Sequence, residues 1–294
     1  MSRSTKRATS RRTIKVASAA AAVLALAIAA PTLAANASPA PAHKASTIQT
    51  TSAVKPTIVL VHGAWADASS FAPVTALLQH QGYTVLNAPN PLRGLDSDAA
   101  DVAAFVNQAT TGPVILVGHS YGGSVITNAA LQAPTVKGLV YIDAYAPDAG
   151  ETTLGLTSAK PGSALAVADP STVLNFVQYP GAPTGDVDTY IKPSVFESGF
   201  AGSLPKSITA VLAADQSPVT LSALTAPSGT PAWKTIPSYF FLGTKDDILP
   251  ASEQEFMAAR AHGVVVTGNA DHLSMLETPL PIDQLIVRAA NNVK

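Results

Sequence analysis

Pro113-Val114-Ile115-Leu116-Val117-Gly118-His119-Ser120-Tyr121-Gly122-Gly123 decides the reading of this chain. A short β-branched run ends in Gly-His-Ser-Tyr-Gly, and helical spacing follows from Ser124 to Leu131. A serine between a strand and a helix, with glycine two residues before it and two after, reads as a nucleophile elbow. The turn forces the serine into a strained backbone conformation. It brings the chain so close to itself at Gly118 and Gly122 that a Cβ would collide. The following helix aims its N-terminal amides, and the positive end of its dipole, at the place where an oxyanion would form.

Outward from this stretch, the sequence alternates. Thr57–Val61, Tyr83–Leu86, Val114–Val117, Val136–Ile142, Tyr239–Leu242 and Val264–Val266 are short apolar runs of the kind buried on both sides of a parallel sheet. Between them, Ser69–Gln81, Asp96–Thr110, Pro250–Ala261 and Pro279–Asn292 have helical spacing. The expected fold is therefore α/β: a mostly parallel sheet of about six strands, covered by helices on both faces. From Ala144 to about Pro231 the pattern lapses into Gly, Pro, Ser and Thr. An insertion there would sit over the C-terminal ends of the strands, where open α/β sheets bind ligands. It is expected to be a cap, spanning about 144–235.

Composition narrows the chemistry. With no cysteine in 294 residues, disulfides, thiolate catalysis and Cys-ligated zinc are excluded. There are 18 basic and 19 acidic residues. Six of the basic ones lie in residues 1–37, with no acidic one, so the remainder carries 12 against 19. Nothing in that balance suggests a nucleic-acid partner. The N-terminus has the order of a secretory signal: a basic stretch to Lys15, an apolar run Val16–Ala30, and a small-residue site at Ala35-Asn36-Ala37 or, second, Thr32-Leu33-Ala34. The apolar run is short of the roughly 20 residues needed to span a bilayer, so no membrane span is expected after cleavage. Ser10-Arg11-Arg12 is also compatible with twin-arginine export. The expected division is a signal peptide at 1–37, a flexible lead-in at 38–55 and a folded domain at 56–294, with the product secreted.

A serine hydroxyl needs a base. Of the six histidines, His43 lies in the lead-in, His80 and His262 near helix ends, and His62 and His119 beside constrained turns. His272 follows the last strand, on the edge that carries the serine, and is the expected base. Its orienting acid is expected at Asp246, just past the strand Tyr239–Leu242, with Asp247 as a turn residue and Asp143 as the alternative. Asp271 is next to His272 in sequence but is expected to point elsewhere. The oxyanion would be held by the backbone amides of Tyr121, after the serine, and Ala64, after the first strand. Trp65 is either a pocket wall or core packing.

His62-Gly63-Ala64-Trp65, Gly118 to Gly123, Gly243 to Pro250 and Asp271-His272 together resemble the α/β-hydrolase superfamily, in its branch of small cofactor-free esterases related to plant methyl-ester esterases and hydroxynitrile lyases. The resemblance runs from about Pro56 to Asn292. It implies the cap, assigns the acid to Asp246, and implies a small-molecule ester substrate with no metal or cofactor. Plant hydroxynitrile lyases of that branch carry threonine where this chain has Gly63, which disfavours lyase chemistry. Serine at the elbow disfavours the dehalogenases and epoxide hydrolases of the fold. The expected reaction is ester hydrolysis through an acyl-enzyme. Thioesterase, C–C hydrolase, perhydrolase or lyase chemistry, or a non-catalytic binding role, are the alternatives.

Overall fold

The computed structural model describes residues 55–293. The expected signal and most of the lead-in lie outside them. Six strands form one sheet: β1 (Thr57–Val61), β2 (Val85–Asn87), β3 (Val114–His119), β4 (Val136–Ile142), and, after a long insertion, Ser238–Gly243 and Val264–Gly268. Three short strands lie inside the insertion: β5 (Leu174–Val177), β6 (Asp188–Ile191) and β7 (Val219–Thr220). The last two strands of the main sheet are therefore β8 and β9. Their order is β2-β1-β3-β4-β8-β9, and every pair is parallel. The α/β expectation and its six strands hold.

The helices are α1 (Ala72–His80), α2 (Leu95–Ala109), α3 (Tyr121–Ala129), α4 (Thr153–Thr157), α5 (Pro193–Val195), α6 (Lys206–Ala214), α7 (Leu221–Thr225), α8 (Ala251–Arg260), α9 (Ser274–Glu277) and α10 (Pro279–Asn291). α1 packs on α10, and α2 packs on α3. Every residue of β3 is buried, as a central strand covered on both faces must be. Its neighbour β1 is buried from Ile58 onward.

Boundaries differ from the sequence expectation where local chemistry intervenes. The expected helix from Ser69 divides into a 3₁₀ turn at Ala68–Phe71 and α1, with Pro73 in the first turn of the new helix. The helix after the elbow begins three residues earlier than its apolar spacing suggests, at Tyr121, because glycines 122 and 123 enter it. The insertion is ordered. β5, β6 and β7 pair antiparallel, and a π-turn at Phe196–Phe200 precedes α6. The insertion is fastened to the loops after β1 and β2. Trp65 N donates to Ser217 O at 3.1 Å and Trp65 Nε1 to Thr189 O at 2.9 Å, while Thr220 N donates to Leu92 O at 3.0 Å.

The strand order reverses at β1, which has β2 on one side and β3 on the other. Ligands bind open α/β sheets outside such a point. Here the chain is packed against itself. A Cβ on Gly122 would stand 2.4 Å from Val61 O, and one on Gly118 2.6 Å from Gly122 O. Gly122→Ala is therefore expected to cost about 1–3 kcal/mol, the usual range for overpacking. Thermal unfolding should register it as a drop of several degrees in Tm.

Candidate active site

Ser120 sits at the end of β3 with φ 50° and ψ −125°, and it precedes the first residue of α3. Positive φ at a non-glycine residue is strained. The backbone around it fixes that strain: Ser120 N donates to Ile142 O at 3.3 Å, and Ser120 O accepts from Gly123 N at 2.9 Å and Tyr145 N at 3.2 Å. The side chain is left to face the base.

Ser120 Oγ lies 2.8 Å from His272 Nε2, and His272 Nδ1 lies 2.8 Å from Asp246 Oδ2. All three side chains are buried. Asp246 Oδ1 accepts from the amides of Ile248 and Leu249, each at 2.8 Å, and Oδ2 also accepts from Gln254 Nε2 at 2.9 Å. Four donors and no acceptor surround this carboxyl, which is the pattern of a carboxylate. Burial raises its pKa, and the two amides act against that rise without cancelling it. Burial also holds the His272 imidazole well below its usual 6.5. A neutral His272 that donates from Nδ1 to Asp246 leaves its Nε2 lone pair for the Ser120 proton.

The other candidates fall elsewhere. His80 and His262 are exposed, His62 Nδ1 lies against Gly63 O, and His43 is outside the described residues. Asp247 is exposed. Asp143 reaches the same sheet edge, but its carboxyl accepts from Gly243 N at 2.6 Å and from the Ser274 hydroxyl, tying β8 to the loop after His272. Asp271 turns away and accepts from Ser203 N at 2.6 Å.

Several contributors escape a sequence reading. Gln254 comes from the next turn of chain after Asp246. His119 donates from Nε2 to His272 O at 2.8 Å, and burial keeps its imidazole neutral. The Phe200 ring stands edge-on to His272 at 4.9 Å. Only Gly63 carries a hint, since a Cβ there would come within 2.7 Å of Ser120 Cβ.

The amides of Ala64 and Tyr121 have no protein acceptor among the described residues. Both residues line a cavity of about 310 Å³ that opens over Ser120. Tyr121 is held by its hydroxyl, which donates to the buried Asp98 at 2.8 Å. Trp65 is both pocket wall and packing: it lines the cavity and is 5% exposed. The insertion supplies Leu154, Leu165, Phe176 and Leu224. The lining contains hydroxyls but no charged side chain among the described residues. A larger hollow of about 680 Å³, beside Lys55, Tyr83 and Asn291, lies at the opposite ends of the strands, away from this chemistry. Among the described residues no cluster of three metal-ligating side chains occurs, and no helix is long and apolar enough to cross a membrane.

A profile of the alpha/beta hydrolase family matches residues 58–284. The chain therefore belongs to the alpha/beta hydrolase family and is an enzyme of that class. It is 36% identical over 110 residues to a carbendazim hydrolyzing esterase of Nocardioides sp. (strain SG-4G), a match that covers 33% of this chain and 46% of that protein. The chain thus spans about half the length of that curated relative. Two solved structures share the fold. Polyneuridine aldehyde esterase superposes with a TM-score of 0.67 at 16% identity, over 80% of this chain and 99% of that one. A pyrethroid hydrolase from Sphingobium faniae JZ-2 gives 0.62 at 22%, over 81% and 98%.

Protonating His272 would remove the lone pair that faces Ser120. Labelling of Ser120 by a fluorophosphonate should therefore be lost as pH falls, with a midpoint below the ordinary imidazole value of 6.5. A pH series of labelling rates measures it.

Proposed function

We propose that this enzyme hydrolyses uncharged carboxylic esters through Ser120, His272 and Asp246. The contact that carries the reading is the 2.8 Å approach of Ser120 Oγ to His272 Nε2, beneath an apolar cavity. His272 takes the hydroxyl proton as Ser120 attacks the ester carbonyl. The Ala64 and Tyr121 amides hold the tetrahedral oxyanion, each such donor being worth about 3 kcal/mol in sites of this kind. Asp246 stabilises the imidazolium. His272 then gives the proton to the leaving alcohol. Water, activated by the same imidazole, releases the acid and frees Ser120.

The cavity supports the substrate class. Its walls offer Leu154, Leu165, Phe176 and Leu224 and no charge, so an ionised acyl group would lose its hydration without a partner. The esterase names of the relatives agree with this reaction type. The insertion at about 144–235 acts as the cap that selects the acyl or alkyl group. Export is part of the proposal and rests on the signal-like order of residues 1–37.

Two experiments test these points. The purified protein should hydrolyse p-nitrophenyl esters of neutral acyl chains, and Ser120→Ala should reduce kcat by roughly 10³-fold or more. Equal turnover by the variant refutes the assignment. Expressed with its full N-terminus in an exporting bacterial host, the protein should reach the medium or periplasm starting at Ser38; an intact Met1 on exported protein, or retention in the cytoplasm, counts against the signal.

A further inference from the structure

Two buried carboxyl oxygens close in sequence to His272 have no donor among the described residues: Asp271 Oδ1 and Glu277 Oε1. Asp271 Oδ2 is used by Ser203 N at 2.6 Å, and Glu277 Oε2 faces the Asp271 amide at 3.4 Å. The two residues are in contact through that amide, and Asp271 is the neighbour that acts on the Glu277 carboxyl by hydrogen bonding and by charge. Two carboxylates only accept and cannot bond to each other. A carboxylic acid beside a carboxylate can.

We propose that Asp271 and Glu277 share one proton, and that this proton fastens the insertion's loop at 201–203 to the loop carrying His272. The proposal rests on His272 being the base. Glu277 is then a positioning residue that acts through Asp271. Ser203 lies three residues beyond Phe200, whose ring rests on the His272 imidazole. Gly202 allows the approach, because a Cβ there would stand 3.3 Å from Asp271 Oδ2 and 2.7 Å from Ser198 O. A loosened clamp would free both Phe200 and the backbone next to His272.

The proton belongs to Glu277. Burial, then the hydrogen bond and charge of Asp271, push its carboxyl up to about 8. Asp143, at the end of β4, adds to the same effect. Asp246 lies behind Asp271 and feels its charge. The elements packed on α9 are α1, the 3₁₀ turn at 68–71 and α10. Their ionisable residues are His80, Asp283 and Arg288, none of them among the strongest influences on Glu277. The dominant neighbours are therefore acidic. Because the folded pKa is raised above 4.5, stability contributed by the bound proton is full at low pH, declines as pH rises from about 4.5, and is gone above about 8.

The test compares wild type, Glu277→Gln and Asp271→Asn in the whole protein, with the Ser120→Ala rate subtracted as background. In wild type, kcat/KM for a p-nitrophenyl ester should fall at least fivefold between about pH 7 and pH 9. In Glu277→Gln an amide donor replaces the shared proton, and the profile should stay flat within about twofold. Asp271→Asn supplies the donor from the other side and should flatten it too. Tm should decline from about pH 5 to pH 8 in wild type and less in either variant. A wild type with no alkaline limb and no Tm decline, or an amide variant that parallels wild type in both, overturns the proposal. If neither variant folds, the two wild-type profiles decide. If the protein turns over no ester, the esterase reading fails separately, and the Tm profiles still decide whether the proton is shared.

Discussion

Ser120 is held at positive φ, a conformation that costs a non-glycine residue of order 1–3 kcal/mol. The cost is met by close packing of β1, β3 and α3, possible only because Gly122 presents no side chain to Val61 O, Gly118 none to Gly122 O and Gly63 none to Ser120. That packing sets the distance between the ends of two adjacent parallel strands. One end supplies the serine and the Tyr121 amide, and the other supplies Ala64. The site is thus a property of strand adjacency, with Val61 opposite Gly118 in the register.

Behind the serine, acids dominate. Asp246 touches His272, Asp271 and Asp143 neighbour Asp246, and Glu277 neighbours Asp271, yet each has a different set of donors. Asp246 faces four, including His272 itself. Asp143 holds β8 and Ser274, and Asp271 holds the insertion. Donor supply in a buried environment separates one carboxyl role from another more sharply than sequence position does.

The insertion is attached to the rest of the fold by contacts of different character. Trp65 and Leu92 bind it to the core through backbone and indole hydrogen bonds. Arg93 and Asp188 add an ion pair at 2.5 Å, but the arginine side chain is 38% exposed and the pair contributes little. On the other side, Asp271 reaches Ser203. Beside the wall residue Leu165, Ser163 and Ala164 donate to Ile248 O and Asp247 O in the loop after β8, so loops after β1, β2, β8 and β9 all hold the insertion over the cavity.

The sequence by itself determined the α/β sheet, its six strands and the serine's position in a strand-to-helix turn. These follow from local signals: β-branched runs, helical spacing and glycine placement. It also pointed to His272 as the base and to Asp246 as its acid, with Asp143 as the alternative, from their places past strand ends. What the sequence could not supply is the contact itself and the reason the other acids stay away: Asp143 is taken by β8, Asp271 by the insertion, and Asp246 is held by donors from the loop after β8 and from α8. Strands β5 to β7, each two to four residues long, were equally beyond the sequence, since so short a run is stable only through its partners. The pocket walls were hidden for the same reason: Leu154, Phe176 and Leu224 are far apart in the chain, and only folding brings them over Ser120.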